Sequence, residues 1–264
     1  NQFSKKAHRL TKISGSVPDN SLQAIESMLI EEEVTVLLSD LGWIRASKGH
    51  LPNNSEIKYR DEDKEKFVIH AKSTKKLVVF CSNGRSYTIE IGNLPSGRGF
   101  GEPIRLMVDI PSGETIISAF VYRPGAKRIV ASDVGNGFVI TEDYLLAQTR
   151  AGKQILNLNE SHKARVCCEV VGDHLACISE NRKLLIIDLK EVPEMGRGKG
   201  VRLQKFKDGG ISDIKSFGLE DGITWLDPAG RRRVEVNLYD WIGRRATTGR
   251  MAPRGFPKDN MFNL

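Results

Sequence analysis

The chain has 264 residues and a formal net charge of +7, with 39% hydrophobic and 28% charged residues. This composition is typical of a folded globular domain, and no apolar run reaches the roughly 18 residues that a membrane-spanning helix requires. The sequence therefore argues against a membrane protein, and its basic balance suits an acidic partner such as nucleic acid. The start, Asn1–Lys6, has no apolar core, so we predict no secretory signal and a cytoplasmic location.

Residues 1–33 differ from the rest of the chain. A polar start is followed by the stretch Ser21–Ile30, in which apolar residues recur at helical spacing. This pattern predicts a linker that leads into one short helix. An alternative is that part of this segment packs on the following domain or supplies an edge strand.

An apolar strand, a tight polar turn and a second strand recur five times from residue 34 onward. The clearest copy is Leu77–Cys81, turn Ser82–Gly84 and Arg85–Ile89, because Asn-Gly between apolar runs favours a β-hairpin. The turn centres lie near residues 42, 84, 136, 182 and 230. Such a period predicts four-stranded blades arranged radially. We therefore predict an all-β, propeller-like domain of about five blades over residues 34–258, with a tail at 259–264.

Two further elements recur between the hairpins. The first is a glycine-rich basic loop, found at Pro95–Glu102, Gln148–Gln154 and Glu194–Gly200. The second is an apolar stretch, found at Ile116–Phe120, Val166–Val171 and Ile211–Phe217. Basic residues outnumber acidic ones by eight to three both in Arg182–Lys207 and in Asp227–Lys258. The positive charge is therefore concentrated in the later repeats.

Several residue types that could carry chemistry are better interpreted as structural. The four cysteines lie in strand-like apolar stretches without metal-ligand spacing, which predicts buried thiols, with Cys167 and Cys168 on opposite faces of one strand. The five histidines show no zinc pattern, and the glycine-rich loops are not followed by a nucleotide-binding βα unit. We expect Trp43, Tyr87 and Trp225 to fill blade cores. No catalytic residues and no metal site are predicted.

Four motifs in fixed order identify a family resemblance. They are Leu41–His50, Leu94–Pro103, Gln148–Lys153 and Arg197–Gly200. Together they resemble the carboxy-terminal domain of the topoisomerase IV A subunit, over about Val34–Lys258. The resemblance implies a β-pinwheel, a disc in which neighbouring blades exchange a strand and DNA lies around the rim.

The resemblance also implies a role within a larger enzyme. Family members belong to an A subunit that works in a heterotetramer with an ATP-hydrolysing B subunit to pass one duplex through another. Their catalytic tyrosine lies in an upstream domain that this chain lacks. The implied partners are double-stranded DNA, the rest of the A subunit, plus the B subunit; no small-molecule substrate is implied. No cofactor is expected in this domain, whereas ATP and Mg²⁺ would act elsewhere in the holoenzyme.

The related gyrase A domain carries a Gln-Arg-Arg-Gly-Gly-Lys-Gly motif that permits full wrapping of DNA. The nearest approach here is Met195–Gly200, which lacks the leading Gln-Arg pair. This difference favours the topoisomerase IV branch, with a gyrase A wrapping domain as the alternative.

Non-specific DNA binding needs cations directed at the phosphate backbone, and glycines that allow the phosphates to come close. The candidate contacts are arginines and lysines in or near the repeated loops: Arg45, Lys48, Arg98, Arg150, Lys153, Arg197, Lys199, Arg202, Arg231, Arg232, Arg244, Arg245, Arg250 and Arg254. For any single residue, simple solvation of the surface is the competing interpretation.

Two rival functions remain open at this stage. A propeller that serves only protein–protein contacts would show almost no DNA affinity in moderate salt. A propeller enzyme, such as a lactonase or glycosidase, needs carboxylates, histidines or a metal converging on the central channel, and the sequence shows no such set.

Overall fold

The computed structural model describes residues 31–52, 57–96 and 99–262. The predicted linker and helix in residues 1–30 lie outside these ranges. The strands are β1 Glu33–Ser39, β2 Trp43–Lys48, β3 Glu65–Lys72, β4 Lys76–Cys81, β5 Arg85–Glu90, β6 Glu102–Pro103, β7 Ile116–Val121, β8 Lys127–Ser132, β9 Asn136–Thr141, β10 Lys153–Gln154, β11 Ala164–Glu169, β12 His174–Ser179, β13 Lys183–Asp188, β14 Val201–Arg202, β15 Ile211–Phe217, β16 Ile223–Leu226, β17 Arg232–Glu235 and β18 Arg250–Met251. Short helical segments are α1 Glu142–Leu145 and the 3₁₀ turns Ile91–Asn93, Ile104–Leu106, Leu189–Glu191 and Leu219–Asp221. Across the described ranges, no helix is long and apolar enough to cross a membrane.

The five predicted hairpins are confirmed. They are the antiparallel pairs β1–β2, β4–β5, β8–β9, β12–β13 and β16–β17. The second turn forms where the sequence provides a glycine that accepts a left-handed backbone, since Gly84 has φ of 72°. In the fourth turn the non-glycine residue Arg182 takes this conformation, with φ of 63°. The predicted repeat is therefore set locally by alternating apolar strands and tight turns.

Four of the hairpins grow into four-stranded sheets by the same rule. The longer strand that follows each hairpin pairs with its first strand, and a two-residue strand from the next repeat pairs with its second strand. The resulting orders are β3-β1-β2-β6, β10-β5-β4-β7, β11-β8-β9-β14 and β15-β12-β13-β18. We call β6, β10, β14 and β18 the exchanged strands. Neighbouring units are therefore joined by backbone hydrogen bonds as well as by packing.

Adjacent sheets bury their facing sides against each other. In β4, Leu77 and Val79 face the core shared with the first sheet, whereas Val78 and Phe80 face the core shared with the third. The period of two along a strand explains this division, because successive side chains point to opposite faces. The central strands are consequently apolar on both faces.

One glycine per unit makes the exchange possible. Gly101, Gly152, Gly200 and Gly249 each precede an exchanged strand and have φ between 70° and 85°. At Gly200, an added Cβ would lie 2.4 Å from the carbonyl oxygen of Gly137 on the receiving strand. At Gly101 and Gly249, the corresponding distances to a receiving-strand carbonyl are 2.1 and 2.3 Å. These glycines are thus required for close approach between two parts of the protein, not for the approach of DNA.

Replacing Gly200 by alanine should therefore destabilise the fold. We expect Gly200→Ala to lower the free energy of unfolding by about 3 kcal/mol, because the strain of positive φ adds to a clash with backbone. Gly230→Ala is the matched control, since Gly230 has φ of 74° and open space around its Cβ position. It should cost only about 1 kcal/mol in urea unfolding. Equal losses for both variants would contradict a role of Gly200 in strand exchange.

The fifth unit differs from the other four. Within the described part of the chain its hairpin is a two-stranded sheet, because neither a longer third strand nor an exchanged strand pairs with it. Charged side chains cover the exposed strand β17, which carries Arg232 and Arg233. Charges on an edge strand oppose pairing with other chains. The predicted all-β fold of stranded blades is confirmed, with four blades of four strands and this smaller fifth one.

The predicted tail at 259–264 is packed in its described part. Phe262 is buried against Trp225 and Phe256 in the core between the fourth and fifth units. Its carbonyl accepts a hydrogen bond from the Leu226 N–H at 3.1 Å, and its own N–H donates to Asp213 at 3.0 Å. Burial of the Phe262 ring, four residues after Lys258, holds the described part of this segment in place.

The cysteine prediction is confirmed. Cys81, Cys167 and Cys177 are buried free thiols, and burial raises the pKa of each to about 12. Cys167 packs in the core between the second and third sheets, whereas Cys168 packs against the core between the third and fourth. The two side chains therefore point to opposite faces of β11, as expected for neighbours on a strand.

A buried ion pair joins the second and third units. The Arg128 guanidinium lies 3.3 Å from the centroid of the Phe120 ring and donates to the Glu142 carboxylate at 2.8 Å. Glu142 is fully buried and also accepts the Arg123 backbone N–H at 2.7 Å. Such a pair is held in place by complete hydrogen bonding, and it becomes unfavourable when one partner is lost.

Removing the Glu142 charge should be far more harmful than removing an exposed one. Glu142→Gln is expected to destabilise the chain by about 3 kcal/mol, because Arg128 would stay buried without a counter-charge. Glu194→Gln is the control, since Glu194 forms an exposed pair with Lys127 at 2.7 Å. Its loss should cost less than about 1 kcal/mol. Similar melting temperatures for the two variants would refute this assignment.

Candidate nucleic-acid interface

Four exchange loops occupy equivalent places beside the receiving sheets. Each runs up to the end of its exchanged strand: 95–103, 147–154, 193–202 and 241–251, here called loops 1 to 4 in chain order. Loops 1, 3 and 4 begin with a parallel backbone contact to the second hairpin strand, from Ala46 N, Val139 N and Ile186 N to the carbonyls of Pro95, Pro193 and Trp241. In these three units the exchanged strand then pairs antiparallel with the same hairpin strand. Strand exchange thus places every loop along the same outer edge of its sheet.

From loop 2 onward, each loop is hydrogen-bonded to the segment that follows the previous exchanged strand, and this arranges the loops in a row. The Arg150 carbonyl of loop 2 accepts the Asp109 N–H, just beyond exchanged strand β6, at 2.8 Å. Gly198 of loop 3 contacts the segment beyond β10 through two hydrogen bonds. Its N–H donates to the Ile155 carbonyl at 3.0 Å, and its carbonyl accepts the Asn157 N–H at 2.8 Å. The sequence alone shows four similar loops, whereas these contacts show that they are neighbours.

Loop 4 continues the row. Its Ala246 N–H donates to the Leu203 carbonyl at 2.9 Å, beyond exchanged strand β14. The Arg245 guanidinium also donates to the Arg202 carbonyl at 2.8 Å. The order along the row is therefore loop 1, loop 2, loop 3 and loop 4, with each loop touching the segment that follows the previous exchange.

Loop 3 has the least neutralised charge in the row. Arg197, Lys199 and Arg202 are exposed, and none of them forms an ion pair with another described residue. Arg197 makes a 3.3 Å hydrogen bond to the Asn157 side chain, which orients it without cancelling its charge. These three cations are therefore available to an external anion.

Loops 2 and 4 combine cations with nearby carboxylates. Arg150 lies 3.4 Å from Asp109, and Arg250 lies 2.8 Å from Asp240. Such exposed pairs contribute little energy and leave the cation able to exchange its partner.

The remaining candidates differ in exposure. Lys153 is half-buried with its ammonium 5.8 Å from the Tyr144 ring centroid, and Arg244 and Arg254 are exposed. Arg98 of loop 1 lies outside the described residues.

Arg45 and Lys48 lie in β2, the strand that receives the first exchanged strand, and Arg45 contacts loop 1. The Arg45 guanidinium is half-buried and donates to the carbonyls of Gly99 and Lys58, the latter at 3.2 Å, so it holds the segment that covers the first sheet. Lys48 is exposed and pairs with Glu32 at 3.4 Å. Arg45 thus has a structural role that its position after a hairpin turn did not reveal.

Arg231 and Arg232 lie in the turn and second strand of the fifth hairpin rather than in an exchange loop. Arg231 and Arg233 both donate to the Asp227 carboxylate, at 3.1 and 2.9 Å. The backbone N–H of Arg231, followed by the Arg233 guanidinium, lowers the pKa of Asp227 to about 2. The sequence placed these residues in one group with the loop 4 arginines, because all of them follow the first strand of the fifth hairpin. In the structure, the carboxylate of Asp227 in the same hairpin binds Arg231.

The Asp227 interactions should depend on pH. A carboxyl whose folded pKa is depressed stabilises the fold above its unfolded value, and that contribution is lost as the pH falls through the folded value. We expect Asp227→Asn to lower the melting temperature at about pH 6, and the difference to shrink between roughly pH 4 and pH 2. Thermal melts of both proteins across this range provide the measurement. A deficit that did not vary with pH would contradict it.

Two exposed cations in the row were missed by sequence reasoning. Arg105 and Lys205 lie two and three residues after exchanged strands β6 and β14. The Lys205 N–H donates to the Thr247 carbonyl of loop 4 at 3.0 Å. The signal that could have found them is their position after the exchanged strand, which Arg254 shares in the fifth unit.

The aromatic predictions are confirmed in two of three cases. Tyr87 and Trp225 are buried. Trp43 is half-buried, and the Arg60 guanidinium covers its ring at 4.2 Å from the centroid. A cation stacked on an aromatic face shields it from water.

Comparison with known proteins agrees with this geometry. The family model described as the DNA gyrase C-terminal domain, beta-propeller, matches residues 173–211. The A subunit of DNA topoisomerase 4 from Caulobacter vibrioides is 46% identical over 239 residues, which cover 90% of this chain and 31% of that protein. The solved E. coli ParC C-terminal domain superposes with a TM-score of 0.74 at 28% identity, covering 86% of this chain and 96% of that one. The chain belongs to the family of topoisomerase IV A and gyrase A C-terminal domains.

Membership in this family confirms the β-pinwheel predicted from the four motifs. A solved gyrase A C-terminal domain has a TM-score of 0.62 at 15% identity, a likeness that shows the fold alone. The chain spans about a third of the length of the curated topoisomerase IV A relatives it matches, 31% for the Caulobacter protein. The similarity therefore extends over one part of those relatives.

Proposed function

We propose that this chain binds and bends double-stranded DNA along the row of exchange loops, without performing chemistry itself. The observation that carries this proposal is that loops 2 to 4, which carry the described cations, are each hydrogen-bonded to the segment after the previous exchanged strand. Phosphates recur along both strands of a duplex, so a receptor that ignores sequence needs cations repeated along a track. A row built from repeated units supplies that spacing by construction.

The charge distribution supports a partner that is a polyanion. Loop 3 presents three cations free of internal carboxylates, and loops 2 and 4 add Arg150, Arg244, Arg245 and Arg250. Each phosphate contact releases condensed counterions, so the affinity should fall steeply with salt. Bending a site of 20 to 30 base pairs costs on the order of 1–6 kcal/mol, which favours contacts distributed along an arc.

At the level of the whole enzyme, we propose that the chain serves topoisomerase IV in selecting DNA crossings for decatenation and supercoil relaxation. The catalytic tyrosine, the B subunit, ATP and Mg²⁺ would then belong to other parts of a cytoplasmic, nucleoid-associated heterotetramer. The names of the curated relatives and the missing Gln-Arg before Met195 favour topoisomerase IV over a gyrase-type wrapping domain.

Neutralising loop 3 should test the DNA track directly. The triple variant Arg197→Gln, Lys199→Gln and Arg202→Gln is expected to bind a short duplex at least about tenfold more weakly in roughly 100 mM salt. The log–log salt dependence should become shallower by about 2.7, from about 0.9 per lost phosphate contact. Fluorescence anisotropy across a salt series measures both quantities.

A charge-matched control separates the track from net charge. Lys72, Lys75 and Lys76 are exposed around the turn before β4, at the end of that strand away from its hairpin turn. Their replacement by glutamine removes the same charge and should change the affinity less than about twofold. Equal losses of affinity in the two triple variants would show that net charge, and not the row of loops, determines DNA binding. An unmodified chain that failed to bind duplex would favour a protein-contact module instead.

A further inference from the structure

A polar cavity of about 150 Å³ lies between loop 3 and the third hairpin turn. Its lining includes three asparagines, one histidine and two cations: Asn136, Asn157, Asn159, His162, Lys199 and Arg202. We call these six residues the phosphate notch. The volume would hold about five water molecules, which is enough for one phosphate group with bridging water.

Strand exchange assembles the notch from two units. Exchanged strand β14 pairs with the start of β9, so that Arg202 stands opposite Asn136. The Gly198 carbonyl accepts the Asn157 N–H at 2.8 Å, which holds loop 3 against the segment carrying Asn159 and His162. The cations therefore come from the fourth unit and the asparagines and histidine from the third.

The notch has unused hydrogen-bond donors. The side-chain amides of Asn136 and Asn159 form no hydrogen bond to another described residue. The Asn157 side-chain oxygen accepts from Arg197 at 3.3 Å, which leaves its NH₂ group free to donate. Amides and guanidinium groups that converge on one small space suit an anion with several acceptor oxygens.

The nearby carboxylate does not cancel this charge. One oxygen of Asp133 accepts the Val134 N–H at 2.8 Å and lies 3.5 Å from the His162 ring nitrogen. The other accepts the Lys163 N–H at 3.1 Å. Asp133 forms no ion pair with Lys199 or Arg202, so within the described part of the chain these two cations have no carboxylate partner.

The corresponding place in the second unit is closed. Gln154 occupies the position in exchanged strand β10 that Arg202 occupies in β14. Its amide donates to the carbonyls of Asn83 and Leu156 at 3.1 and 2.7 Å. The protein's own groups fill the space there, whereas the exposed Arg202 leaves it open.

We propose that the phosphate notch binds one backbone phosphate of the duplex and so fixes the register of DNA on the row. The inference rests on the proposed DNA track and adds a defined anchor point to it. Phosphate contacts of this kind position a duplex without reading its sequence. The other exchange loops would then act as less specific electrostatic supports.

Introducing a carboxylate into the notch tests the proposal without removing any cation. Asn159→Asp adds a negative charge at an exposed residue, and Asn93→Asp makes the same change at an exposed residue after β5. In roughly 100 mM salt, Asn159→Asp should weaken duplex binding about tenfold, because it places like charge against a phosphate. Asn93→Asp should change binding less than about twofold. Asn136→Asp provides a second variant with the same expectation.

The outcomes distinguish the notch from the track. Loss of affinity in both notch variants but not in Asn93→Asp, with one strong phosphate-ethylation interference signal that the notch variants lose, supports the anchor. Normal duplex binding by all three variants overturns the notch and leaves the track intact. Absence of duplex binding by the unmodified chain overturns both.

A separate arm identifies a small ligand. Inorganic phosphate is titrated while the side-chain NH₂ signals of Asn136, Asn157 and Asn159 are followed by NMR. If phosphate saturates these signals and duplex DNA neither shifts nor competes for them, the notch serves a free phosphate compound and the duplex proposal is overturned. Displacement of the phosphate by duplex supports it.

Discussion

The organisation of this protein depends on backbone pairing between consecutive repeats. Each complete sheet closes its outer edge with two residues from the next unit, and a glycine at positive φ lets the two backbones approach. A single hairpin of this size could not bury both apolar faces alone. The exchange links every unit to its neighbour through hydrogen bonds, and the shared cores then fill the space between adjacent sheets.

The same constraint organises the surface. Because an exchanged strand must be preceded by a loop that leaves and re-enters the sheet edge, every exchange generates one projecting loop. Because each loop touches the segment after the previous exchange, the loops form a row. Basic side chains on these loops then give the row the positive charge that the proposed polyanion binding needs. The polar notch is a local consequence, since loop 3 meets the third hairpin turn where Arg202 replaces a space-filling glutamine.

Particular residues show how far sequence reasoning reached and where it stopped. The hairpins at residues 84 and 136 were predictable because Asn-Gly and Gly-Asn-Gly turns act locally. The internal contacts of Arg45 could not be predicted, since its partners Lys58 and Gly99 lie far along the chain. Arg231 resembled the loop arginines in composition, yet its Asp227 partner belongs to the hairpin turn itself. Arg105 and Lys205 were missed because the two-residue strands before them carry almost no pattern of their own.

The sequence by itself determined the all-β class, the five hairpins, the buried thiols and the family, because alternation, turn residues and ordered motifs are properties of short segments. Only the tertiary structure decided which repeat receives each exchanged strand, that the basic loops are contiguous, and that three asparagines and a histidine face Lys199 and Arg202. These features arise from contacts between residues dozens of positions apart, whose geometry is settled by packing and backbone pairing rather than by local preference.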